Sequence, residues 1–259
     1  MSRKSVPAAV APATTLSEFE GVLYLHLGTP WVQGAMHLSQ PRKLVLEYVQ
    51  RMMAWLLWKP LLPGADAHAV QLGLGAAAIT RFTHGVMRLA QTTAVEINPA
   101  VIQICRQCFR LPANGSRLKV VQADAGAWAA AAEHAGCADV LCVDLYDHDA
   151  AGPVLDDEPF YAACHGLLAD GGIMTVNLFG RRAAFDESLA RMAGIFGADQ
   201  VWRLTPTREG NSIVVAARGI VVPDRVELRR RADLIESRYG LPARKWLKQV
   251  RPYQVAGAA

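Results

Sequence analysis

The chain has 259 residues, 52% of them hydrophobic and 19% charged, which is ample material for one large domain and excludes wholesale disorder. Its net charge of +4 is unevenly placed: residues 221–259 carry nine Lys or Arg against four Asp or Glu, so that segment holds +5 and the remainder −1. With a nearly neutral body, nucleic acid is not an expected partner.

Residues 1–20 are rich in Ala, Pro, Ser and Thr and read as a disordered tail. Pro7 and Pro12 interrupt its Ala/Val stretch, which argues against a signal peptide. Residues 21–62 read as a β-hairpin and a helix. Residues 22–27 suit a strand, Gly28-Thr29-Pro30 a turn, and residues 31–33 a short return strand. Pro41 suits a first helical turn, and Leu44, Tyr48, Met52, Trp55 and Leu56 recur at helical spacing up to Pro60. The most apolar run, residues 52–58, stops at Lys59, far short of the ~20 residues that span a bilayer, so no membrane partner is expected.

From 63 to 220 short apolar runs alternate with amphipathic segments. The runs lie at 69–74, 92–96, 118–122, 140–144 and 173–178, with helices expected near 76–89, 99–110, 126–134, 159–168 and 183–196. Such alternation predicts an α/β fold, a Rossmann-like doubly wound and mainly parallel sheet. Runs at 200–204 and 212–217 read as an antiparallel pair closing it. Residues 221–259 read as a basic C-terminal helix, 224–239, and a tail; a solvated face is the plain reading of its arginines. Five cysteines without framework spacing read as reduced thiols of a cytoplasmic protein. Cys105 and Cys108 fall inside a helix with no second pair, and no histidine spacing suggests a metal.

Doubly wound sheets bind ligands beyond the carboxyl ends of their strands, so the residues at those ends carry the functional reading. Gly73 and Gly75, in Gly73-Leu74-Gly75-Ala76-Ala77-Ala78, let backbone approach a ligand. Glu96 ends the second run, 21 residues after Gly75, where a carboxylate accepts ribose hydroxyls. Asp124 follows the third, positioned either to reach an adenine amino group or to cap a helix. Asp144 ends the fourth and Asp147 follows three residues later; two such carboxylates can hold a cationic centre or deprotonate an amine.

Together with Gln33 after the first strands, Ala94-Val95-Glu96-Ile97-Asn98, Val121-Gln122-Ala123-Asp124, Val143–Asp147, Phe160-Tyr161 and Gly171-Gly172, these residues resemble the spermidine synthases. The resemblance to these polyamine aminopropyltransferases on the class I methyltransferase fold runs from about Val22 to Ala217. It implies a co-substrate, S-adenosylmethionine or its decarboxylated form, held by Gln33, Gly73, Gly75, Glu96, Asp124 and Asp144. It also implies a small-molecule amine acceptor deprotonated by Asp144 and Asp147, with no metal, and leaves a homodimer open. The chain departs from the family at three places. Ala76 stands where the family has the Asp that holds the amino group of the decarboxylated nucleoside. The family's Tyr-x-Glu is matched only by Glu47-Tyr48 in reverse order, and its Asp-Ser-Ser-Asp-Pro has become Asp144-Leu145-Tyr146-Asp147-His148. Without an acid at 76, intact and decarboxylated forms are expected to bind comparably. Three alternatives accompany the aminopropyltransferase reading: a methyltransferase, a non-catalytic nucleoside-binding homologue, and a nicotinamide dehydrogenase suggested by Gly73-x-Gly75-x-x-Ala78.

Overall fold

Three antiparallel strands begin the fold in the computed structural model, which describes residues 13–146, 155–179 and 182–254. They are β1 (Thr14–Phe19), β2 (Val22–Leu27) and β3 (Gly34–His37). The tail expected over residues 1–20 is therefore a strand from Thr14 onward. Glu20 and Gly21 both take positive φ, 49° and 72°, and close a two-residue hairpin in which Phe19 pairs with Val22. That geometry suits the twist of the flanking strands, but Glu at its first position is no usual signal for it. The return strand starts three residues later than expected: residues 31–33 form a connector, and Gly34 pairs with Leu25.

The helix expected from Pro41 is also shorter. α1 covers Glu47–Arg51 and passes directly into a 3-10 segment, Met52–Leu57. Every residue of that segment is at most 1% exposed. A helix apolar on all sides has no polar face to mark its period, so helical spacing could not reveal its tighter winding.

The remaining elements alternate: β4 (His68–Leu72), α2 (Ala78–Gly85), β5 (Gln91–Glu96), α3 (Pro99–Gln107), β6 (Leu118–Gln122), α4 (Ala125–Ala130), β7 (Ala138–Val143), α5 (Glu158–Leu167), β8 (Leu168–Leu178), α6 (Arg182–Phe196), β9 (Val201–Leu204), β10 (Ser212–Ala217), α7 (Arg225–Tyr239), α8 (Ala243–Gln249) and β11 (Val250–Pro252). Eight strands form one sheet in the order β11-β9-β10-β8-β7-β4-β5-β6. Its centre, β8-β7-β4-β5-β6, is parallel, and β10, β9 and β11 continue it antiparallel. This is the doubly wound α/β architecture expected, with the expected antiparallel pair at 201–217. The chain after Tyr239 is more than a tail: Trp246 of α8 is buried, and β11 pairs with β9. A three-residue strand containing Pro252 is tolerated at an edge and is too short to show alternation.

Alternation in β7 divides the core. Val140 and Cys142 pack with the 3-10 segment and Trp246, whereas Leu141 and Val143 pack with α4, α5 and α6. With both faces covered, only the strand ends are left for chemistry. A third cluster joins Leu25 and Met36 of the N-terminal sheet to Val101 of α3 and Phe109 just beyond it. It brings Gly34 against the loop after β4, where a Cβ on Gly34 would come within 2.5 Å of the Ala76 Cβ.

Candidate active site

Strand order reverses between β4 and β7: β5 and β6 lie to one side of β4, β7 and β8 to the other. Loops leaving the strands at such a reversal part and leave a crevice. A cavity of ≈ 480 Å³ opens there, within the roughly 300–1,000 Å³ typical of small-molecule sites. Its wall follows the order of the sheet, with Asp124 after β6, Glu96 ending β5, and Gly73 and Gly75 after β4. Asp144 follows β7, Asn177 lies near the end of β8, and Asn211 immediately precedes β10. Asn211 reaches this edge because β10 is antiparallel to β8, with Ser212 opposite Leu178. The connector after β2 adds Trp31 and Gln33, and α1 adds Glu47 and Tyr48.

On the β5–β6 side, Glu96 is braced by backbone. Its Oε2 accepts from the Leu74 N–H at 3.0 Å and its Oε1 from the Asn98 N–H at 2.8 Å. Burial pushes its carboxyl above the ordinary value, and these hydrogen bonds oppose that push. A carboxylate offers about four lone-pair sites, so about two remain for a ligand. Asp124 caps α4, accepting the Ala127 N–H at 2.8 Å, and also lines the cavity. Gly73 has φ of 85°, and a Cβ there would lie 2.1 Å from the Asp144 carbonyl oxygen. Only glycine lets the ends of β4 and β7 come this close. A Cβ on Gly75 would stand 3.0 Å from the Gln33 carbonyl oxygen. The Cys105 thiol, pushed up to about 12 by burial, donates to the Gly75 carbonyl at 3.1 Å and braces the loop.

On the β8–β10 side the polar groups form a chain. Asp144 Oδ1 accepts from Asn177 Nδ2 at 2.9 Å, and the Tyr48 hydroxyl faces the same carboxylate. Burial pushes the Asp144 carboxyl above its ordinary value against these two donors. Burial, and then the Asp144 charge, hold the Tyr48 phenol well above its own, so Tyr48 stays a proton-bearing donor. Asn177 Oδ1 accepts from Asn211 Nδ2 at 3.1 Å. Tyr146 donates to the Asn177 carbonyl at 2.8 Å and meets Phe179 edge-on. Five carboxylates line the cavity, those of Glu47, Glu96, Asp124, Asp144 and Glu209, and among the described residues no Lys, Arg or His does.

The structure thus brings together Gln33, Gly73, Gly75, Glu96, Asp124 and Asp144. Asp147 and His148 lie outside the described residues. Ala76 is buried against Gly34 and does not line the cavity. Sequence reasoning passed over Asn177, Asn211, Glu209 and Trp31. A polar side chain in the apolar run 173–178 was the available signal for Asn177. Nothing local marks Asn211 or Glu209, which are brought in by strand pairing.

The family model for the spermine/spermidine synthase domain matches residues 75–218. The chain is 32% identical to the polyamine aminopropyltransferase of Neisseria meningitidis serogroup A over 91% of its own length and 88% of that protein's. It is 31% identical to the polyamine aminopropyltransferase of Chromobacterium violaceum, over 96% and 94% of the two chains. A crystal structure of a probable spermidine synthase from Corynebacterium glutamicum shares the fold at a TM-score of 0.70 and 20% identity, covering 98% of this chain and 99% of that one.

Proposed function

The chain belongs to the spermine/spermidine synthase family, and from that membership we propose that it transfers an aminopropyl group from decarboxylated S-adenosylmethionine to an amine acceptor. The observation that carries the choice of ligands is the charge of the cavity: five carboxylates, of which Glu47 is paired with Arg51 behind the wall, and no basic side chain lining it among the described residues. Such a wall favours a sulfonium and ammonium groups and disfavours a pyrophosphate, which sets the nicotinamide reading aside. It also disfavours the carboxylate of intact S-adenosylmethionine. That revises the expectation of comparable binding drawn from Ala76. A like charge brought to about 8 Å of one carboxylate costs ~2 kcal/mol at an effective dielectric near 20, more than a decade in affinity.

The order of groups across the sheet supplies the mechanism. Glu96 accepts the ribose hydroxyls and Asp124 faces the base, which puts the nucleoside over β5 and β6. Asp144, at the reversal point, stands between that half and the half built by Asn177, Asn211 and Glu209. An acceptor amine is an ammonium at neutral pH, with a pKa near that of Lys at ~10.4. It must lose a proton before its nitrogen can attack. Asp144 binds the ammonium and takes that proton, helped by a carboxyl that burial has made more basic. The nitrogen then bonds to the aminopropyl carbon as the carbon–sulfur bond breaks, and the electron pair leaves with the sulfur of methylthioadenosine. Asp147 is proposed as the second acid of this step.

Calorimetric titration tests the ligand class. Methylthioadenosine is expected to bind and NAD to give no heat; tight NAD binding with no response to methylthioadenosine overturns the reading.

A further inference from the structure

Arg51 does not line the cavity, yet it is tied to both segments that hold Asp144. Its side chain is 5% exposed, and a buried guanidinium needs partners. Nε and Nη2 donate to Glu47 Oε1 at 3.1 and 2.6 Å, one turn back in α1. Nη1 donates to the Thr205 carbonyl at 2.5 Å, where the loop from β9 to β10 begins. From α1, Tyr48 faces Asp144 across the cavity wall. From the loop, Asn211 donates to Asn177, which donates to Asp144. The loop is itself well tied. The Thr207 N–H donates to the Asn211 carbonyl at 2.8 Å, the Asn211 N–H to Thr207 Oγ1 at 3.2 Å, and the Thr205 N–H to the Gln249 carbonyl at 3.2 Å. A closed ring of contacts therefore runs from Arg51 through α1, Asp144, Asn177 and Asn211 to Thr205 and back.

We propose that Arg51 is a positioning residue: by bridging α1 to the loop after β9, it sets the reach of Tyr48 and Asn177 to the Asp144 carboxylate from both sides. The functional meaning rests on the aminopropyltransferase reading, but the geometry can be tested without turnover. A planar fork serves a carboxylate and a carbonyl at once; a lysine ammonium in the same place cannot keep both in that geometry. Without the bridge Asp144 loses donors that favour its ionised form, so its carboxyl titrates at higher pH. The titratable groups facing it are Tyr48 from α1 and Cys142 and Tyr146 from its own segment, all protonated in the acid range. Losing the Arg51 charge also leaves Glu47 unpaired and pushes the same way; Arg51→Lys, which keeps the charge, separates the two effects.

The test is a ¹³C-carboxyl NMR titration of the full chain, with the Asp144 signal assigned by Asp144→Asn, repeated on Arg51→Met and Arg51→Lys. The expected result is a raised Asp144 midpoint in Arg51→Met and an intermediate one in Arg51→Lys. In turnover, kcat should fall about tenfold or more in Arg51→Met, as for a misplaced base, with methylthioadenosine affinity unchanged. Parental midpoints in both variants overturn the proposal. So does full rescue by lysine, which would assign the effect to charge. If Arg51→Met fails to fold, Arg51→Lys decides alone, and a parental midpoint there refutes the bridge. Failure of the functional reading shows separately, as an unsubstituted chain that turns over no amine.

Discussion

Replacing Asp144 by Asn removes a charge and keeps a shape. The new Oδ1 still accepts from Asn177, so the frame on the β8 side of the reversal point is retained. Turnover should fall by about 10²–10⁴, the usual contribution of a positioned general base. Stability should move the other way. Burial holds the Asp144 carboxyl above its ordinary value of 3.8, so the folded chain binds that proton more tightly than the unfolded one. Between 3.8 and the raised folded value stability then falls as pH rises, and above that value the full penalty is present. Asn carries none of it, so the melting temperature at pH 7 should be equal or higher. The parent's rate should have its acid limb above the ordinary carboxylate range, rising with pH as Asp144 ionises. Methylthioadenosine release as a function of pH and thermal melting measure these three quantities, and methylthioadenosine calorimetry on the same preparation checks that the nucleoside still binds. An Asp144→Asn protein that keeps more than about a tenth of parental turnover would refute the base assignment.

Glu96→Ala should weaken methylthioadenosine at least about tenfold, since two charge-assisted bonds at roughly 1.5–3 kcal/mol each are lost; unchanged affinity in a folded variant removes the ribose role. Decarboxylated S-adenosylmethionine should bind at least about tenfold more tightly than the intact form, read by competition against methylthioadenosine. Glu209 is exposed on the β10 side of the cavity, so Glu209→Gln should raise the KM of a diamine acceptor several-fold, about 1 kcal/mol for an exposed pair, and leave nucleoside affinity alone. A nucleoside effect without an acceptor effect would place Glu209 on the wrong half.

The β5–β6 side of the cavity was legible because its residues sit at the ends of consecutive strands. Glu96 and Asp124 each follow an apolar run that can be read locally, and parallel pairing lines those ends up automatically. The other half depends on contacts that no local pattern carries. Asn211 reaches the site through the antiparallel pairing of β10 with β8, and Tyr48 through a helix that begins six residues later than Pro41 suggests. Residues 31–33, read as a return strand because they follow the Gly28-Thr29-Pro30 turn, form the connector instead, and pairing with β2 begins at Gly34 opposite Leu25. Ala76 is buried against Gly34 and does not line the cavity, so its place in the motif says little about the wall a ligand would meet.

The most direct test of aminopropyl transfer is mass spectrometry of the products formed from decarboxylated S-adenosylmethionine and a panel of mono- and diamines. Transfer predicts one methylthioadenosine released for each acceptor gaining one aminopropyl group. A methylated acceptor formed from intact S-adenosylmethionine, with S-adenosylhomocysteine and no methylthioadenosine, would contradict it.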